Sequence, residues 1–298
     1  MMPRWFLFSA AAGLCWAVWA ILSKAVDNAH LSLAQTQLLF TAGLVPPAVL
    51  ALARRRPSAS ALRSRGAMFA FGAGLLGGAG NLAFYAALGA GGRASVVIPF
   101  TSLYPLVTLV VAWLFMRERI NRVQAVGVLG SLIAAVLLSG QAAALLATSD
   151  LAGGGGGRWL AYATLALVAW GLLSAAQKMA TDVIAPELSF ACFTAAFLPL
   201  TAAVALFTGL DWNIPPRPLW LGLGAGAMNG LGMLASFAAY RSDGKASVVT
   251  PLAGLLSAAF TVGLALLLLG ERLDGLELSG IVVALGAAVA LSYERVRA

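Results

Sequence analysis

Ala94-Ser95-Val96-Val97-Ile98-Pro99 returns almost unchanged as Ala246-Ser247-Val248-Val249-Thr250-Pro251. Outward from that pair, other blocks repeat in the same order. Phe40-Thr41-Ala42 with Pro46 comes back as Phe193-Thr194-Ala195 with Pro199, and Trp16 with Lys24 comes back as Trp170 with Lys178. The charged loop Arg117-Glu118-Arg119 is answered by Glu271-Arg272, and nine residues past each Glu stands Gly127 or Gly280. The offset drifts only between 152 and 154. Any single match is cheap in an apolar chain, but ordered blocks at nearly constant spacing mark a duplicated unit.

The solvent of that unit follows from composition. The chain of 298 residues is 61% hydrophobic and 10% charged, with mean hydropathy +0.91. A water-soluble domain carries roughly 25% charged residues. Apolar stretches fall near 5–26, 32–53, 66–90, 94–116, 122–140, 159–181, 187–208, 218–240, 246–270 and 276–293. Each approaches the ~20 residues that carry a helix across ~30 Å of hydrocarbon. Long continuous runs exclude the short alternating strands of a membrane barrel. The first run is too long, and lacks the small-residue cleavage site, to be a removable signal peptide. The expected fold is therefore all-α and integral to the membrane, with ten transmembrane helices in two five-helix repeats. Repeat one is 1–140, a Gly-rich linker is 141–157, and repeat two is 158–298.

Basic residues orient the chain. With a cytoplasmic N-terminus the inner side receives Arg4, Arg54, Arg55, Arg56, Arg63, Arg65, Arg117, Arg119, Arg122, Lys178, Arg241, Lys245, Arg295 and Arg297, fourteen of the 19 Lys and Arg. The outer side keeps Lys24, Arg93, Arg158, Arg217 and Arg272. The positive-inside rule selects this orientation, with both termini in the cytoplasm and the linker outside. The net charge of +8 then reflects topology and attraction to anionic lipid rather than nucleic-acid binding, since the basic residues sit in short loops. An odd number of spans per repeat makes the second copy cross in the opposite sense. Inverted repeats of this kind enclose a central cavity near the midplane that rocking exposes to either face.

The duplicated five-helix unit, its Trp-bearing first helix, the Ala-Ser-Val-Val-x-Pro fourth helix and the Glu that closes it resemble the drug/metabolite transporter superfamily, in its ten-helix EamA-type branch. The resemblance spans nearly the whole chain. Within that branch the chain looks most like the bacterial aromatic amino-acid exporters. The resemblance implies an inner-membrane exporter of small amphipathic metabolites, amino acids first and aromatic ones favoured, working by alternating access. The alternatives are a transporter of drugs or other metabolites, such as quaternary amines or nucleotide sugars, and a channel-like facilitator. The implied partners are a small solute and membrane lipid, without nucleic acid, for a protein able to act as a monomer.

Side chains that can do chemistry are few. One His and two Cys, Cys15 and Cys192 inside spans, form no metal or nucleophile constellation, so neither catalytic residue, metal nor cofactor is expected. Gly72 to Gly80 and Gly222 to Gly232 read as places where helix backbones approach closely. Polar and aromatic residues within apolar helices mark the expected substrate site: Trp16, Asn81, Tyr85, Tyr104, Trp170, Gln177 and Asn229, with Lys178 at the inner mouth. A buried Tyr or Trp needs a partner for its polar atom, which suits an amphipathic pocket. Trp5, toward a helix end, reads instead as an interfacial anchor, and Trp19 and Tyr240, also toward helix ends, read either as anchors or as further members of the pocket. Pro46, Pro99, Pro199 and Pro251 are expected as hinges, because proline removes a helix donor and frees the carbonyl four residues back. Pro99 and Pro251 could alternatively sit in the first turns of late-starting helices. All eleven carboxylates fall in loops or at span ends. A proton-driven carrier needs one inside the membrane, so export along the solute's own gradient is expected.

Overall fold

A computed structural model describes residues 3–27, 31–54, 58–90, 97, 101, 103–138, 158–269 and 275–292. Among these no strand occurs. The helices are α1 (Arg4–Asp27), α2 (Leu33–Arg54), α3 (Ala59–Leu62), α4 (Arg65–Gly89), α5 (Tyr104–Phe115), α6 (Arg122–Leu138), α7 (Arg158–Thr181), α8 (Pro186–Thr208), α9 (Pro216–Arg241), α10 (Ala246–Leu269) and α11 (Gly275–Ser292). The short α3, which the hydropathy pattern does not announce, starts where the Ser58 hydroxyl accepts the Ala61 N–H at 3.2 Å.

Six of the helices, α1, α2, α4, α7, α8 and α9, are long and apolar enough to cross a membrane. Among the described residues α5 and α6, with 12 and 17 residues, are shorter than a full span, whereas α10 has 24 residues and α11 has 18. The linker 141–157, Pro99, Ser95 and Glu271 lie outside the described residues, as does the Lys24 side chain.

The compact units differ from the sequence repeats. Unit 1 comprises 1–75 and 176–243; unit 2 comprises 76–175 and 244–298. Each therefore draws on both repeats. In unit 1, α1 and α2 pack on α9, and α2 packs on its own repeat counterpart α8. In unit 2, α6 packs on its counterpart α11 and α5 on its counterpart α10.

Absent side chains make the unit 1 contacts possible. A Cβ on Gly226 would strike the Phe40 carbonyl and Gly43, and a Cβ on Gly74 would strike the Phe193 carbonyl and Ala196. These two contacts are repeat images of each other. Without a hydrophobic drive between helices in lipid, such backbone proximity supplies the dispersion contacts that hold them. Gly72, by contrast, has nothing within 4 Å of its would-be Cβ.

The fourth helices share one proline position and differ at another. In repeat two α10 runs unbroken through Pro251, which lies inside the helix beyond its first turn, so it is not the cheap N-terminal proline of a late start. In repeat one α5 starts at Tyr104 with Pro105 in its first turn, where a missing donor costs little. Ser257 occupies the matching place in α10. Pro46 and Pro199 also lie inside their helices, and Pro46 is followed by a second proline, Pro47.

Candidate functional site

Unit 2 contains a cluster of amphipathic rings. Trp170 on α7 stands 5.7 Å from Phe84 on α4, ring centre to ring centre, and 6.3 Å edge-on from Tyr104, the first residue of α5. Phe84 in turn meets Tyr85 at 5.8 Å. The α5–α7 crossing aims Tyr104 at Trp170: Gly171 admits Val107 and the Tyr104 carbonyl, and buried Thr108 donates its hydroxyl to the Gly171 carbonyl at 3.0 Å. The Tyr104 hydroxyl reaches α10, 3.3 Å from where a Cβ on Gly254 would stand. Below the indole lies Gly80, one turn before Phe84; a Cβ there would be 2.6 Å from both Cδ1 and Nε1 of Trp170. Trp170, Tyr104 and Phe84 are half-buried, and Tyr85 is 42% exposed. Asn81 follows Gly80 and is half-buried. The sequence-predicted Asn81, Tyr85, Tyr104 and Trp170 thus share one unit.

The other expected site residues belong to unit 1. Trp16 on α1 repeats the Trp170 arrangement: its Nε1 lies 2.5 Å from where a Cβ on Gly232 of α9 would be. The neighbouring Met233 accepts the Gln177 side-chain amide at 3.9 Å, a weak contact for a side chain only 1% exposed. Asn229, half-buried, lies one turn before Met233 on the same face of α9. Lys178 forms an ion pair with Asp182 one turn further along its own helix, so its charge is already countered. Two anchor readings are corrected. Trp5 is 5% exposed and Tyr240 2%, both core residues rather than rings at a water interface, because α1 and α9 bury these faces in unit 1.

The sequence pattern of the EamA-like transporter family matches residues 3–140 and again 157–293, nearly the entire chain as two copies. The chain belongs to the EamA-like transporter family. This EamA-like transporter is accordingly an all-helical integral membrane protein built of two inverted repeats, and a membrane transporter of small metabolites. A solved crystal structure, described only as that of a protein, superposes on it with TM-score 0.75 at 20% identity, covering 96% of this chain and 95% of that one, which shows the shared fold. None of the curated proteins compared with the chain matches it.

Two polar features of this EamA-like transporter escaped the sequence pattern. The first is a clasp in unit 2. Glu118, in the loop after α5, accepts the Ala246 N–H on Oε1 at 2.9 Å and the Ser247 N–H on Oε2 at 2.9 Å, while the Ser247 hydroxyl donates to Oε2 at 2.7 Å. The carboxylate satisfies two amides that open α10 and faces the positive end of its dipole. Adjacent backbone strain marks the turn, with Arg117 at φ 55°. The second is a buried triad in unit 1, where Thr41 and Thr201 share a hydrogen bond of 2.7 Å and Gln37 donates to each at 3.4 Å. The repeated Glu and the repeated Ala-Ser were visible in the chain. Their pairing was not, because the capping carboxylate comes from 128 residues away instead of from the helix's own first turn.

Proposed function

We propose that this protein exports amphipathic amino acids, aromatic ones preferentially, across the inner membrane by alternating access. The observation that carries this reading is the Trp170–Tyr104–Tyr85 cluster: rings with polar tips, the first two half-buried and the third exposed, on helices made mostly of Ala, Gly and Leu. A ring face attracts an ammonium group while its area shelters an apolar side chain, about 0.5–2 kcal/mol for each ring. The hinge role of Pro46, Pro99, Pro199 and Pro251 belongs to the same proposal.

The proposal includes ten crossings with both termini cytoplasmic. Alternation is supported by contacts that join segments assigned to one face: Gly66 with Val183 and Ile184, Arg241 with the Thr181 carbonyl at 2.7 Å, and Glu118 with Ala246. Gln35 with the Asp211 carbonyl at 3.0 Å joins two segments assigned to the other face. The sense of insertion rests on the basic residues. In a background with Cys15 and Cys192 replaced, a cysteine at position 154 is expected to label from outside and one at position 60 only after permeabilisation. The reverse at both sites overturns the orientation.

Transport is expected to follow the solute's own gradient. Of the carboxylates within the described residues, Glu118, Asp182, Asp211 and Asp243 stand in loops, Glu187 and Glu277 in first helical turns, and Asp27 at the end of α1. Proteoliposomes loaded in turn with radiolabelled amino acids, quaternary amines and nucleotide sugars test the reading: saturable amino-acid exchange supports it, and saturable flux of another class replaces the substrate. Flux that fails to saturate indicates a channel. Uncoupler-sensitive accumulation overturns gradient-following export, and Glu187, whose Oε2 is buried without a hydrogen-bond partner, becomes the carboxylate to substitute.

A further inference from the structure

We propose that Gly80 sets the size of the side chain that the Trp170 ring cluster admits. The inference rests on the amino-acid reading above and adds a residue that contributes no side chain of its own.

Trp170 is held on three sides. Phe84 and Tyr104 flank the indole at 5.7 and 6.3 Å, and the bare backbone of Gly80 lies under Cδ1 and Nε1. Carbon atoms rest about 3.5–4.0 Å apart. A methyl group at Gly80 would stand 2.6 Å from the indole, so the ring must recede by on the order of 1 Å. Retreat toward the flanks is limited. Tyr104 is itself fixed by the Gly171 crossing and by the α10 backbone at Gly254, and Phe84 belongs to the same helix as Gly80. The indole is therefore displaced away from α4, and in the amino-acid reading that displacement takes room from the solute's side chain. A glycine here leaves the indole where it rests.

The seat at Gly232 provides an internal control. Trp16 rests on it with nearly the same geometry, but no ring is paired with Trp16 among the described ring contacts, and the residue after Gly232 is Met233, which accepts the Gln177 amide. A displaced indole there disturbs α1 packing without reshaping an aromatic cluster.

The test is competitive flux of phenylalanine and valine through the full-length protein in proteoliposomes, at matched reconstituted amounts. Gly80→Ala is expected to lower the phenylalanine-to-valine ratio by about tenfold, the lower end of what one methylene does in an apolar site, while valine flux stays within about twofold of wild type. Trp170→Phe, which opens the same space from above, is expected to raise tryptophan flux relative to phenylalanine several-fold. Gly80→Ala placed in a Trp170→Ala background should leave the ratio of that background unchanged, since no ring remains for the methyl to displace. Gly232→Ala should slow both solutes in equal proportion. Equal slowing of both solutes by Gly80→Ala, an unchanged tryptophan preference in Trp170→Phe, or a ratio shift in Gly232→Ala matching that of Gly80→Ala overturns the size gauge alone. Wild-type protein that moves neither amino acid overturns the amino-acid reading and the gauge with it.

Discussion

Unit 1 and unit 2 each contain a chain of aromatic rings, and the two chains are built from different chemistry. In unit 1, Phe40, Phe197 and Phe193 follow one another and Phe193 also meets Phe190 and Phe237, all at 5.2 to 6.4 Å; the rings other than Phe40 are at most 2% exposed. In unit 2 the sequence is Tyr85, Phe84, Trp170 and Tyr104, half-buried or exposed. A phenyl ring carries no polar atom and can be sealed between helices at no hydrogen-bonding cost. Indole and phenol rings bring a donor that must be satisfied, so they suit a surface where a solute or water can reach them. In the proposed reading, aromatic content alone does not mark the solute site; the polar tip and the exposure of the ring do.

The largest expected effect breaks the comparison on the sealed side. Phe197→Ala should lower stability by on the order of 3 kcal/mol, because α2, α8 and α9 cannot close the void left between them. Tyr85→Ala should cost well under 1 kcal/mol, as an exposed ring leaves no cavity. Thermal unfolding in detergent checks both, and equal losses would erase the distinction between the two ring chains.

Glu118→Gln should come next, at about 2 kcal/mol of local stability, because it exchanges charge-assisted bonds to α10 for at most one neutral acceptor. Amide exchange at Ala246 and Ser247 is expected to accelerate while the Phe190–Phe237 region stays protected. Acceleration spread through unit 1 would show that the clasp is not local.

On the amphipathic side, Trp170→Ala should reduce aromatic amino-acid flux roughly 2- to 30-fold at matched membrane expression. Trp220→Ala, whose ring is 71% exposed in the first turn of α9, should leave flux unchanged. Equal flux in the two variants would move Trp170 into the structural group with the phenylalanines. The smallest effect is expected from Thr201→Val, which removes the 2.7 Å bond to Thr41 at a cost of about 0.6–1 kcal/mol, typical of polar pairs between membrane helices. Its unfolding midpoint in detergent should shift by a few degrees at most.

Much of this was legible along the chain. Hydropathy located the apolar helices, and the duplicated blocks exposed the repeat that the family match later found in both halves. The Gly clusters did mark close approaches, at Gly74, Gly80, Gly226 and Gly232. The site was legible only as a set of residue types. Trp16 and Trp170 are repeat images and both sit on a glycine, yet Trp170 alone of the two joins other described rings, through Phe84 and Tyr104. Trp5 and Tyr240 lie near helix ends, where a sequence suggests an interface, yet both are buried in unit 1, because position along a helix does not say which face meets another helix.

Membrane residence, helical class and internal duplication belong to the order of residues, since each is a property of local composition or spacing that survives without knowing any contact. The partition into two units that mix the repeats, the Glu118 clasp across 128 residues, and the separation of sealed from amphipathic rings belong to three-dimensional packing. In a bilayer every helix is apolar on nearly all faces, so hydropathy cannot say which face meets another helix. That choice falls to shape: to glycines that let backbones touch, and to a few polar groups that find partners only when distant segments meet.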